Sequence, residues 1–211
     1  MTDNSATDSA SKGNADIEFI FDFGSPNAYL AHKALPPLLE RTGARVRYNP
    51  CLLGGVFKAT NNQSPIYASA NIKGKLAYEQ LEIARFIAKH NIAFTFNPDF
   101  PINTLLIMRG AIAAQQRDQL AKYVDAVFDA MWVTPKKMDD PAIIAEALTD
   151  AGLDGAALVA ATADPQVKAA LIRNTEHAVE RGVFGMPAFF VKGEMYFGKD
   201  RLGQIEEALT T

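Results

Sequence analysis

The segment Asp22-Phe23-Gly24-Ser25-Pro26-Asn27-Ala28-Tyr29 decides how this chain is read. Ahead of it lies an apolar run, Ile17 to Phe23, of strand length. Behind it apolar residues recur at helical spacing, among them Tyr29, Leu30, Leu35, Leu38 and Leu39. Ser25 is a favoured N-cap and Pro26 a favoured first helical residue. The reading is strand, tight turn, helix, with one hydroxyl at the turn. Amides at a helix N-terminus stabilise an anion beside them, and a thiolate is such an anion. The turn itself holds no cysteine, so thiol chemistry here needs a sulfur from outside.

Working outward, the first helix closes at Gly43, with a kink or restart expected at Pro36-Pro37. Ala44 to Tyr48 alternates as a second strand, parallel to the first in a right-handed βαβ unit. Pro50 to Asn71 reads as a loop with one short helix. Helical periodicity follows over Lys75–Lys89, over Thr104–Gln116 and after Asp118, with an extended stretch at Phe94–Pro101. Asp140-Pro141 and Asp164-Pro165 each read as a cap plus first helical residue, and Gly152 and Gly182 as helix stops. Phe184 to Val191 is a strand, Lys192-Gly193-Glu194 a hairpin turn, and Met195 to Phe197 the returning strand. Gly198-Lys199-Asp200-Arg201 opens a last helix. The order is βαβ, then helices, then α, ββ, α. That is an α/β, thioredoxin-like order with an inserted all-helical subdomain, as in DsbA-like proteins. The expected divisions are a disordered tail over residues 1–15, the first half of the thioredoxin-like domain over 16–71, the helical subdomain over 72–163, and the second half over 164–211.

Composition narrows the function. The 211 residues are 48% hydrophobic, ample for a buried core. A net charge of -3 without a basic stripe argues against nucleic acid as a partner. No apolar segment approaches membrane-spanning length. The tail lacks the basic start and apolar middle of a signal peptide, and Cys51 is the only cysteine, so the expected location is the cytoplasm. The histidines His32, His90 and His177 are scattered without metal-ligand spacing, so no metal is assigned.

Six pieces of the chain, in order, resemble a known family. Phe21-Asp22-Phe23-x-Ser25-Pro26-x-x-Tyr29-Leu30 resembles the start of the 2-hydroxychromene-2-carboxylate isomerases, which are related to kappa-class glutathione transferases. Lys75-x-x-Tyr78-x-x-x-Glu82, the Asn97 to Leu105 segment with Arg109, and Val127-Phe128-x-Ala130-x-Trp132 resemble the middle of that family. Val183-Phe184-Gly185-Met186-Pro187 and Gly198-x-Asp200-Arg201 resemble its C-terminal signatures. The resemblance spans about Ile17 to Leu209. It implies glutathione as a cofactor returned unchanged, a small aromatic carboxylate as substrate, and a homodimer. It implies that Ser25 hydrogen-bonds the glutathione sulfur. Met186, before a cis Pro187, would pair with the cysteinyl backbone. Lys199 and Asp200 would hold the γ-glutamyl end, and Asn62 and Lys75 the remainder. Asn61 and Lys73 are the alternatives to the last two. The chain departs from the family at Gly24, often Leu there, at Lys199, often small or an amide, and at Met186, often Val or Leu.

Each of these residues also has a plainer reading. Ser25 and Asp200 suit helix caps, Pro187 a strand entry, Lys75 and Tyr78 an exposed helix face, and Asn62 a turn. Cys51 reads as a small buried hydrophobe, and Trp132, Phe128 and Met131 as core. Disulfide exchangers carry Cys-x-x-Cys at this turn, where this chain has Ser25-Pro26-Asn27-Ala28, so dithiol exchange is excluded at the site. The expected activity is a glutathione-dependent cis-trans isomerisation. The alternatives are a kappa-like glutathione transferase and a non-catalytic peptide-binding protein.

Overall fold

The structure is a computed structural model that describes residues 16–211. The tail expected over residues 1–15 lies outside the described residues. Four strands form one sheet in the order β2-β1-β3-β4. They are β1 (Ile17–Phe21), β2 (Val46–Pro50), β3 (Ala188–Val191) and β4 (Glu194–Phe197). β1 pairs parallel with β2 and antiparallel with β3, and β3 pairs antiparallel with β4. The helix α1 (Pro26–Thr42) makes the crossover from β1 to β2. Every residue of β1 is buried, as a strand with neighbours on both edges and layers on both faces requires.

The elements differ from the sequence reading where tertiary context decides. α1 runs unbroken through Pro36 and Pro37. Both prolines are exposed, so their rings meet no packed layer, and only the helical bonds to the His32 and Lys33 carbonyls are given up. β2 is displaced two residues from the expected Ala44–Tyr48, because Gly43, at φ 68, and the next two residues are used in the turn. β2 is an edge strand, so it tolerates Pro50 at its end. The expected loop after it holds two helices, α2 (Leu53–Thr60) and α3 (Pro65–Ser69). The strand expected over Phe184–Val191 begins only at Ala188, beyond the cis Met186-Pro187 bond.

The helical layer comprises α4 (Lys75–His90), α5 (Leu105–Gln115), α6 (Leu120–Trp132), α7 (Pro141–Asp150) and α8 (Gly155–Ala161), followed by the long α9 (Pro165–Glu180). α8 has only seven residues, too short for its periodicity to register in the sequence. Asp140 and Asp164 cap α7 and α9 through the next residues' amides, as their sequence contexts predict. The main core joins β1 and α1 to this layer through aromatic contacts. Phe23 lies edge-on to Phe128 at 4.9 Å, and Phe19 stacks on Phe189 at 4.9 Å. A smaller core of Ile20, Cys51, Val56, Ala178, Val183 and Met186 lies on the sheet's other face. The chain ends in a single 3-10 turn, Lys199–Arg201, and α10 (Leu202–Thr210).

The end of α9 is clamped to the sheet, which fixes the entry to residues 182–187. Arg181 donates to Glu18 at 2.7 Å and lies 3.5 Å from the Phe190 ring centroid. Asn49 also donates to Glu18, and Arg47 is 3.2 Å away. Burial alone raises the Glu18 pKa, but the hydrogen bonds from Arg181 and Asn49 and the two arginine charges outweigh it, leaving the carboxyl below its ordinary value of 4.5. The favourable contribution is therefore complete above that value and lost as pH falls through the lower folded value. Glu18→Gln is expected to cost about 1–3 kcal/mol at neutral pH, in line with hydrogen bonds to charged groups, and to flatten the acid limb of stability against pH. Urea unfolding of both proteins as pH is lowered from neutral measures this. An unchanged acid limb in Glu18→Gln rejects the assignment.

Candidate functional site

The site is built around the turn between β1 and α1. Ser25 caps α1, its Oγ accepting from the Ala28 amide at 3.2 Å. The same hydroxyl donates to the Met186 carbonyl at 3.1 Å, across 161 residues of sequence. Ser25 is thus cap and tertiary contact together, with 5% of its surface exposed. The bond joins the α1 N-terminus to the peptide before Pro187. Among the described residues no acceptor meets the Met186 N–H. Pro187 passes its own carbonyl to the Gly198 amide at 2.9 Å, so the β4 exit lies directly beside the cis-proline.

The structure brings Asn62 to the same edge. Its Nδ2 donates to the Phe184 carbonyl at 2.8 Å, and its Oδ1 accepts from Gln63. Asn61 instead closes α2 in the left-handed conformation, φ 53. Of the two asparagines it is Asn62 that meets the strand-entry segment. Lys75 opens α4, is exposed, and makes no bond to this cluster among the described residues. Lys199 turns inward, away from the role the resemblance gives it. It is 5% exposed, its Nζ lies 3.0 and 3.1 Å from the two Asp200 carboxylate oxygens, and 5.0 Å from the Phe86 centroid. It supports Asp200 from behind, while the Asp200 side chain stays largely exposed at the surface.

Beneath the turn is a group that the sequence reading passed over. Asp22 is completely buried. Its Oδ1 accepts from the Gly24 amide at 2.8 Å, and its Oδ2 from the Leu53 amide at 2.8 Å and the Thr104 hydroxyl at 3.1 Å. Burial dominates those three donors and holds the Asp22 pKa above its ordinary value. A second tie reaches the turn from α6, where the Trp132 indole donates to the Phe23 carbonyl at 2.9 Å. An acidic residue ending an apolar strand was the available signal, since a carboxyl there must find donors.

The arrangement offers a hydroxyl and a helix N-terminus to an anion, an unpaired amide to an extended chain, and a carboxylate to a cation. It offers no second nucleophile. Cys51 is buried, its Sγ directed at the Asn174 carbonyl at 3.4 Å. Burial first, then the nearby Glu18 and Asp22 carboxyls, push its thiol far up.

Comparisons with known proteins bear on the family and the fold. A DSBA-like thioredoxin domain model matches residues 16–210. A 2-hydroxychromene-2-carboxylate isomerase of Pseudomonas putida is 32% identical over 92% of this chain and 93% of its own. A solved structure of a 2-hydroxychromene-2-carboxylate isomerase superposes with a TM-score of 0.80 at 30% identity, covering 92% of this chain and 94% of the other. More distantly, glutathione S-transferase kappa 1 of Caenorhabditis elegans is 24% identical over 92% of this chain and 90% of its own.

The burial of Cys51 carries a direct expectation. Ellman's reagent should leave the folded protein unmodified at mildly alkaline pH and release about one thiol per chain only after denaturation. Rapid modification of the folded protein contradicts the inert reading.

Proposed function

Because this chain belongs to the 2-hydroxychromene-2-carboxylate isomerase family, within the DSBA-like thioredoxin proteins, we propose that it is a glutathione-dependent isomerase of a small aromatic carboxylate. The observation that carries the reading is the Ser25 hydroxyl, placed at the α1 N-terminus and bonded to the Met186 carbonyl before Pro187. That is a thioredoxin-type site with a hydroxyl where a dithiol exchanger has its sulfur. The residues present fit glutathione. The Met186 N–H lacks a partner among the described residues, and the Asp200 carboxylate is exposed close to it in the fold. An extended γ-glutamyl tripeptide presents a backbone carbonyl to such an amide and an α-ammonium to such a carboxylate.

When bound, glutathione supplies a thiolate that adds reversibly to a conjugated carbon of the substrate, so that the former double bond can rotate. The chain's own part is positional and electrostatic. Ser25 Oγ–H, which donates to the Met186 carbonyl here, would donate to the sulfur instead, with Oγ still accepting from the Ala28 amide. The first-turn amides of α1 add positive potential. Met186 holds the peptide in register through its freed backbone, and Asp200, fixed by Lys199, takes the amino end. Asn62 holds the segment Phe184–Met186 in place, and Lys75 reaches the remaining carboxylate. The same reading places the enzyme in the cytoplasm as a homodimer.

Glutathione binding by calorimetry, for wild type and Ser25→Ala over about pH 6 to 9, tests the cofactor. Wild type is expected to bind and release protons. Ser25→Ala is expected to bind about tenfold or more weakly and to lose the release, as for a hydrogen bond to a charged group. The reaction is tested with 2-hydroxychromene-2-carboxylate, whose isomerisation should require glutathione and consume none. Net consumption favours the kappa-like transferase. Failure to bind glutathione at millimolar concentration, with extended peptides bound instead, rejects the enzyme reading for peptide binding.

A further inference from the structure

Two bonds tie the helical layer to the turn that carries Ser25, and one of them has chemistry of its own. Thr104 precedes α5 and is nearly buried. Among the described residues its hydroxyl has a single hydrogen-bond partner, Asp22 Oδ2 at 3.1 Å. Its methyl group fills the space over Gly24, where an added Cβ would lie 2.9 Å from Thr104 Cγ2. Asp22 in turn holds the Gly24 amide through Oδ1 and the Ser25 amide through its main-chain carbonyl at 3.0 Å. It also holds Leu53, the first residue of α2, whose far end leads to Asn62. Among the described residues no charged side chain accompanies these donors at Asp22. Cys51 is the titratable neighbour, and its thiol is neutral.

We propose that Thr104 is a positioning residue of the reaction, acting through Asp22 to hold the Ser25 hydroxyl where it meets the thiolate. The proposal rests on the reading of Ser25 as the partner of glutathione. A hydroxyl stabilises an anion steeply with distance and angle, so a small loosening of the turn lowers thiolate stabilisation before it disturbs backbone pairing at Met186. Gly24 belongs to the same device. With no side chain of its own, Gly24 leaves room for the Thr104 methyl and lets the threonine hold Asp22.

The experiment compares Thr104→Val, Thr104→Ser and Gly24→Ala with wild type. Thiolate ultraviolet absorbance gives the ionisation midpoint of bound glutathione, and calorimetry gives the Kd of glutathione and of S-methylglutathione. Val keeps the shape and removes the hydroxyl. The expected result is a midpoint raised by roughly half to one pH unit, about a three- to tenfold loss of thiolate at a given pH. Affinity for S-methylglutathione, which has no thiol to ionise, should change by less than about twofold, since its backbone contacts are untouched. Ser is expected to restore the wild-type midpoint. Gly24→Ala, which displaces Thr104 but leaves both polar groups in place, should raise it as Val does. An unchanged midpoint in folded Thr104→Val and Gly24→Ala overturns the proposal. So does an equal loss of affinity for both peptides, and so does failure of both variants to fold, each of which marks a purely structural contact. If wild type binds S-methylglutathione but never ionises glutathione, or binds neither, the fault lies with the cofactor reading and Thr104 loses its role with it.

Discussion

A carboxyl group buried without a cation must be satisfied by dipoles, and the site of this protein is arranged around one that is. Asp22 ends the central strand with no solvent contact. Its donors come from three separate places: the turn before α1, the first residue of α2, and the residue before α5. Leaving such a group unpaired costs several kcal/mol or forces it neutral. Thus the three helix beginnings cannot drift apart without penalty. Their meeting point is also where the backbone amides at helix N-termini concentrate positive potential. Glu18 shows the contrasting solution in the same strand. It too is buried, yet two arginines and an asparagine lie around it, and its pKa falls where that of Asp22 rises. One carboxyl anchors the sheet to α9 by charge, and the other gathers loops by hydrogen bonding.

The helical layer is therefore more than a wall beside the thioredoxin-like half. Trp132 stacks on Phe94 with an interplanar angle of 9° and sends its indole N–H to Phe23, one residue from Gly24. Asn97, fully buried, donates to the Met131 and Lys136 carbonyls, which fixes the end of α6 that carries Trp132. These bonds transmit the position of the inserted helices to the Ser25 turn. On the opposite side of the site, Lys199, which holds Asp200, lies over the ring of Phe86 of α4, again from the helical layer. The exposed ends of the site thus take their geometry from buried groups on both flanks.

Much of this was legible before any coordinates. The strand-turn-helix at Ser25, the βαβ pairing, the Asp-Pro caps and the hairpin at Lys192-Gly193 all rest on local rules, and local rules held. Lys192 and Gly193 both adopt positive φ, 50° and 87°, as a tight hairpin demands. Local rules failed where the deciding partner was distant. The strand expected from Phe184 starts late because residues 184–186 are engaged by Asn62 and Ser25, over 120 residues away in sequence. Pro36 and Pro37 stay in the helix because α1 is held on both sides of them by its buried face, whose apolar spacing the sequence shows but whose distant packing partners it does not. Lys199 was legible as a charge near Asp200, but its inward turn depends on Phe86. Asp22 and Thr104 lie 82 residues apart, and only the fold pairs them.

A serine at this turn changes what the same scaffold must accomplish. In a dithiol exchanger the reactive sulfur is covalently part of the helix start, so its position needs no further guarantee. If the sulfur comes on a separate molecule, as proposed, the protein must fix both the hydroxyl that meets it and the strand edge that holds its backbone. The Ser25–Met186 bond shows how near those two places lie, since the hydroxyl proposed to meet the anion reaches the carbonyl of the residue proposed to hold its carrier. Asp22 buttresses the turn that carries Ser25, and Asn62 holds Phe184 beside Met186, so each fixes one of the two places. On that reading, a fully buried carboxyl, with the desolvation it entails, holds a turn that carries only a serine because the position of that serine has no covalent guarantee.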